Sequence, residues 1–145
     1  MKRMILILFA LMVSSTSSFG LVSTVEIFKR ILYTIDQLES FENQILFTQM
    51  NNIRKNSIST QIYTLSSGSS YTIFAFGDDE RVMDIDLTVL DENNNVIGKD
   101  TDDTNIAIVD VRPKWSGDFK IQVSAYRMKS TYNDAFYGII IARND

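Results

Sequence analysis

Asp91 to Asp102, DENNNVIGKDTD, is rich in oxygen ligands and sets Asp91, Asn93 and Asn95 at positions 1, 3 and 5 of a twelve-residue stretch. That is the spacing of a helix–loop–helix calcium site, which also takes Gly at position 6 and a bidentate acid at position 12. Position 12 is Asp102, but position 6 is Val96, and a Val does not readily adopt the conformation that Gly supplies there. The flanks VMDIDLTVL and TNIAIVDV alternate at period two, so strands border the stretch. The expectation is a β-hairpin, with DENNN at the tip and Val96-Ile97 pairing back. A calcium site then needs a different set: Asp84 and Asp86 on one face of their strand, with Asp100, Asp102 and Asp103 approaching from the next segment. The same acids, and the acidic turn Asp78-Asp79-Glu80, serve equally as solvated groups, Asx caps or guards of a sheet face.

Asp84 and Asp86 also have the pairing that glycoside hydrolysis uses, yet acids alternating along a strand are ordinary and nothing in the sequence marks either as having a raised pKa. The chain contains no His and no Cys. That removes the usual zinc and copper ligands, Cys nucleophiles, and every Ser–His or Cys–His mechanism. No catalytic residue is assigned and no cofactor is required, and the acids leave calcium as an option. Trp115, in the turn PKWSG, and Tyr126, Tyr132 and Tyr137 are the candidate binding aromatics; each is equally a core or rim residue. Neither GDDE nor NNNVIG is a phosphate loop.

These groups must be positioned by a chain of 145 residues, enough for one domain with a real core. Residues 1–20 have the order of a secretory signal peptide: Lys2 and Arg3, the apolar run MILILFALMV, then SSTSSFG. The run is too short to span a bilayer comfortably. Removing the segment takes away two of the 14 basic residues and none of the 18 acids. An acidic protein without a basic patch is a poor partner for nucleic acid, and no membrane contact is expected after cleavage.

Residues 21–50 predict an amphipathic helix, capped by Ser23 and Glu26, with Val25, Phe28, Ile31, Leu32, Ile35, Leu38, Phe41, Ile45 and Leu46 recurring at steps of three and four. Its stripe is expected to pack on the following domain or on a second copy. TQMNNIRKNS reads as a connection. From residue 57 to 145 the period is two, with strand candidates 58–65, 71–76, 82–90, 96–98, 105–112, 118–126 and 135–142 separated by turn signals. That many short strands at regular spacing predict an all-β antiparallel sandwich.

Three pieces in order, MDIDLTVLDENNNVIGKDTDD, RPKWSGDFKIQV and the closing YGIIIAR, resemble the bacterial pre-peptidase C-terminal domain over roughly residues 57–145. The resemblance implies a jelly-roll-like β-sandwich and a non-catalytic module of exported hydrolases, associated with secretion, stabilisation or polymer binding. Relatives in collagenases bind collagen and calcium, through an acid-rich segment before the first strand that this chain lacks. The functional expectation is a secreted or periplasmic binding or accessory module for a protein or polysaccharide surface. The alternatives are a self-assembling exported protein joined as a homo-oligomer through its helix, and a calcium-stabilised accessory domain of an exported hydrolase system.

Overall fold

The computed structural model describes residues 18–144, with side chains from Thr24 onward. Residues 1–20, expected as a signal peptide, lie outside the described residues except for the last three, which are helical.

One helix, α1 (Ser18–Ser40), precedes eight strands: β1 (Gln44–Arg54), β2 (Ile58–Leu65), β3 (Tyr71–Gly77), β4 (Val82–Leu90), β5 (Val96–Asp100), β6 (Ile106–Val111), β7 (Gly117–Met128) and β8 (Asp134–Arg143). They form two antiparallel sheets, ordered β1-β8-β3-β6 and β2-β7-β4-β5. The pairs β1–β8, β2–β7, β3–β6 and β4–β5 are those of one long hairpin folded over on itself. The seams β3–β8 and β4–β7 complete the two sheets. This is jelly-roll topology, and the all-β sandwich expected from the alternating segments is what the chain forms.

The inward residues of both sheets make the main core, including Leu65, Ile73, Ile85, Leu87, Phe119, Ile121, Tyr137, Ile139 and Ile141. Helix α1 covers the outer face of the β1-β8-β3-β6 sheet, where Ile27 and Ile31 pack with Phe76 and Ile140. Gly138 makes that approach possible. A Cβ there would stand 2.8 Å from Ile31 Cδ1 and 2.9 Å from Ile27 Cγ2. The Arg30 guanidinium bonds Asp79 and ties the helix to the β3–β4 turn.

The helix departs from expectation at both ends. It begins at Ser18, so Ser23 and Glu26 lie within it and do not cap it, and it stops at Ser40. Residues 44–54, expected as helix and connection, are strand β1. The stop uses no glycine. Glu42 takes φ 63°, and Asn43 covers the last turn, its backbone N–H and its side-chain amide both donating to the Leu38 carbonyl. The sandwich therefore starts at residue 44, and its first strand pairs along the whole of β8.

Candidate binding sites on the sandwich

The β4–β5 turn, which began as a calcium question, is a hairpin tip held by its first residue. The Asp91 carboxylate accepts from the N–H groups of Asn93 (2.8 Å) and Asn95 (2.7 Å) and from the Asn95 side chain (2.8 Å). Those donors, the Asn95 side chain foremost, hold its carboxyl below the ordinary value. Asn94 supplies the left-handed residue at φ 65°, and Asp91 N–H donates to the Asn95 carbonyl. The carboxylate oxygens of Asp91, the first position of the apparent metal loop, are thus spent on the turn.

The five acids proposed for calcium separate. Asp84, Asp86 and Asp103 meet around a pocket of about 310 Å³ on the outer face of the β2-β7-β4-β5 sheet, with Lys99, Thr101 and Tyr126. Asp100 lines no part of it. Its two carboxylate oxygens accept from Asp102 N–H and Ile108 N–H, and the second bond stitches β5 to β6 across the open side of the sandwich. Asp102 lies in the β5–β6 loop between two lining residues but does not itself line the pocket, its carbonyl accepting from Thr104 N–H. Among the described residues, no three acids are arranged to hold a metal ion.

Asp84 is not simply on the wet face of its strand. The ladder between β4 and β7 is irregular on both sides of it, and Ile85 N–H donates to the Thr104 carbonyl instead of to a strand. The irregularity turns Met83 outward and leaves Asp84 only 2% exposed. Burial, a hydrogen bond shared with Asp103, and the charges of Asp86 and Asp103 push the Asp84 carboxyl up to about 6, against the pull of Arg127. Arg127 is itself bound to Asp103 at 3.1 Å. Burial also raises Asp86, with Lys99 opposing and Asp100 adding to the rise. A raised carboxyl is the mark the sequence did not show. Here it sits in a cluster already interleaved with two cations.

The four aromatics lie in four settings. Tyr137 is a core residue, 0% exposed, so it presents no surface; its hydroxyl bonds Ser59. Tyr132 is half-buried, donates to Glu80 at 2.8 Å and lies under the Arg81 guanidinium, 5.1 Å from ring centroid to Cζ. It pins the β7–β8 loop to the β3–β4 turn. Tyr126 is 72% exposed on the outer face of the sheet, beside the Asp84 pocket, on the strand next to exposed Ile58 and Ile62 of β2.

Trp115 lies at the opposite end of the sandwich, where the hairpin tip meets the β6–β7 loop. Its ring leans on buried Phe119 with centroids 5.9 Å apart and remains 38% exposed. It borders a cavity of about 410 Å³ together with Asp91, Asn95, Ile97, Val111, Arg112, Pro113, Lys114 and Phe119. The sequence pattern pointed to Trp115, and to Asn95 only as a position of the apparent metal loop, but not to Arg112 or Lys114. Arg112 and Lys114 lie just before the Trp in the sequence; the cavity itself forms because a hairpin tip about twenty residues earlier closes its far wall.

The fold defines the class, a jelly-roll β-sandwich with one covered sheet. No family model and no curated protein sequence matches the chain. Solved structures of similar fold include Aeromonas hydrophila PliG, a periplasmic lysozyme inhibitor of g-type lysozyme, at 15% identity over 67% of this chain and 84% of that one, with a TM-score of 0.48. Another is the acidic stable capsid structure of Helicobacter pylori bacteriophage KHP30, at 10% identity over 70% and 92%, with a TM-score of 0.38. The nucleoplasmin-like N-terminal domain of Drosophila FKBP39 aligns at 13% identity over 68% and 89%, with a TM-score of 0.35.

Proposed function

We propose that the protein is an exported, non-catalytic binding or accessory module that engages a polysaccharide or protein surface through the hairpin-tip end of its sandwich. One observation carries the reading: Trp115 is braced from behind by Phe119 and left partly bare beside a cavity of about 410 Å³. A rigid, amphipathic ring at the mouth of a cavity gives contact area at little entropic cost. The accessory role implied by the likeness to pre-peptidase C-terminal domains is of the same kind.

The other surfaces are less suited. Part of the apolar stripe that a helix-joined assembly needs is taken up by the protein's own sheet, through Ile27, Ile31, Ile35 and Leu38, while Val25, Leu32 and Phe41 stay exposed. The Asp84 pocket has the raised carboxyl that acid catalysis uses, but Asp103 is paired with Arg127 and Lys99 lines the wall. Export rests on the segment 1–20, and no helix among the described residues is long and apolar enough to cross a membrane.

The test is co-sedimentation of the purified protein with insoluble peptidoglycan, chitin, cellulose and collagen. Retention on one of them, lost in Trp115→Ala with the melting temperature kept, supports the reading. Equal retention of the variant, or no retention on any of the four, overturns it.

A further inference from the structure

Arg112 and Lys114 stand on either side of Pro113 and both line the Trp115 cavity. Each side chain is exposed, and among the described residues neither has a salt-bridge or hydrogen-bond partner. The indole N–H of Trp115 likewise has no acceptor among them. Three donors, two of them cationic, therefore surround one half-bare aromatic ring.

Two acids stand nearby. Asp91 lines the cavity and stays ionised, its carboxyl held below the ordinary value, but its charge is met by three N–H donors of its own turn and by Lys120, so neither Arg112 nor Lys114 is its partner. Lys120 is held at the tip by the Asn94 side chain. Glu92 approaches from the Gly117 side of the ring, where its Oε2 would lie 3.8 Å from a Cβ on that glycine. It closes that side to an anion and leaves the side of Arg112 and Lys114 as the favourable one.

We propose that this cavity binds an acidic sugar unit of a polysaccharide, the ring face against Trp115 and the anionic group between Arg112 and Lys114. The inference rests on the binding-module reading and adds the ligand's charge. A volume of about 410 Å³ falls in the range of roughly 300–1,000 Å³ typical of small-molecule sites. Sugar rings present an apolar C–H face to an indole and polar edges to its N–H. A guanidinium and an ammonium at the same mouth select for carboxylate, sulfate or phosphate over a neutral ring.

Trp115 is the protein's single tryptophan, so intrinsic fluorescence reports this site alone. Wild-type protein is titrated with a short oligogalacturonate, a sulfated oligosaccharide and a chito-oligosaccharide of matched length. The expected result is a saturable change with an acidic ligand, with affinity at least about tenfold above the neutral one, or about 1.4 kcal/mol, and weakening as salt rises. Response to the galacturonate alone assigns a carboxylate; response to the sulfated sugar alone assigns a sulfate. Arg112→Gln with Lys114→Gln should remove that tenfold preference while the melting temperature holds, both side chains being exposed. Equal affinity for the neutral sugar, or a preference that survives the double substitution, overturns the proposal and leaves the surface-binding reading standing. No fluorescence response to any of the three overturns the proposal, and the binding-module reading then stands or falls by sedimentation alone.

Discussion

The Tyr137 hydroxyl lies 2.7 Å from Ser59 Oγ, and the bond joins the two sheets. Tyr137 is on β8 and Ser59 on the edge strand β2 of the other sheet. Tyr137 is fully buried, and the phenol oxygen needs this partner because no water reaches the ring. Tyr137→Phe should cost about 1 kcal/mol and lower the melting temperature by roughly 2–8 °C. Ser59→Ala should cost at least as much, since it strands the buried hydroxyl. The double variant should cost less than the sum of the two, and a thermal double-mutant cycle measures the coupling directly. Strict additivity would mean the bond contributes nothing.

Why the sandwich could be read from the residues, and β1 could not, follows from how each strand is buried. β4 has one wet face, so Val82–Leu90 alternates in sequence and falls at the expected bounds; β2 also falls at Ile58–Leu65, but with Ile58 and Ile62 outward and Ser59, Gln61, Tyr63 and Leu65 inward. β1 is a sandwich edge lying partly under α1. Its Ile45 and Met50 pack with the helix, while Phe47 and Ile53 face the main core. Apolar residues on both faces of an edge strand, with a bulge at Ile45–Phe47, leave no period of two. They fall by chance into step with the helical stripe before them, and the helix stop, made by Glu42 and Asn43 without Gly or Pro, gave no break to read. The candidate site was half legible for a similar reason. Trp115, Tyr126, Asp84 and Asp86 stand out by type, but the bulge that buries Asp84 and the hairpin tip that walls the Trp115 cavity are products of long-range pairing.

Helix docking hinges on Gly138. With Ile31 and Ile27 atoms within 3 Å of a Cβ at that site, Gly138→Val has no room and α1 must lift from the sheet. Overpacking of this kind costs about 1–3 kcal/mol. Amide exchange of residues 24–38 should accelerate markedly, while strands β4 and β7 of the other sheet keep their protection. Equal acceleration in both sheets would mean that the helix and sandwich unfold as one unit.

At the hairpin tip, Asn94 at φ 65° and the three bonds to Asp91 predict a ranking of variants. Asn94→Gly should be nearly neutral, because Gly adopts that conformation without strain. Asn94→Val should lower the melting temperature, since a β-branched residue resists it. Asp91→Ala should lower it further by releasing three donors, and should also widen the Trp115 cavity it walls. Melting curves order the three variants, and tryptophan fluorescence reads the cavity. A ranking in which Asn94→Val is harmless would show that the tip does not need a left-handed residue.

The Asp84 cluster makes stability depend on pH in a direction opposite to that of most acids. With its carboxyl raised to about 6 from an ordinary 3.8, the folded protein binds a proton between those values that the unfolded chain has released. Stability therefore declines as pH rises from about 4 to 6 and stays lower above; Asp86, raised the same way, adds to the slope. Asp91 is lowered, so its contribution is kept above its ordinary value and is lost only in stronger acid, leaving the window above pH 4 to the raised pair. Each pKa unit corresponds to about 1.4 kcal/mol, but the pocket opens to solvent, and screening there reduces the change to about 1 kcal/mol. Asp84→Asn should flatten the profile of melting temperature between pH 4 and 7 and raise its value at pH 7 by a few degrees. Lys99 on β5, Tyr126 on β7, and Asp86 and Asp103 line the same pocket, and the charge of Arg127 on β7 acts on Asp84. A variant that removes Arg127 should therefore steepen the slope that Asp84→Asn removes. A profile that rises from pH 4 to 7 in the wild type, unchanged in Asp84→Asn, would place the Asp84 carboxyl back in the ordinary range.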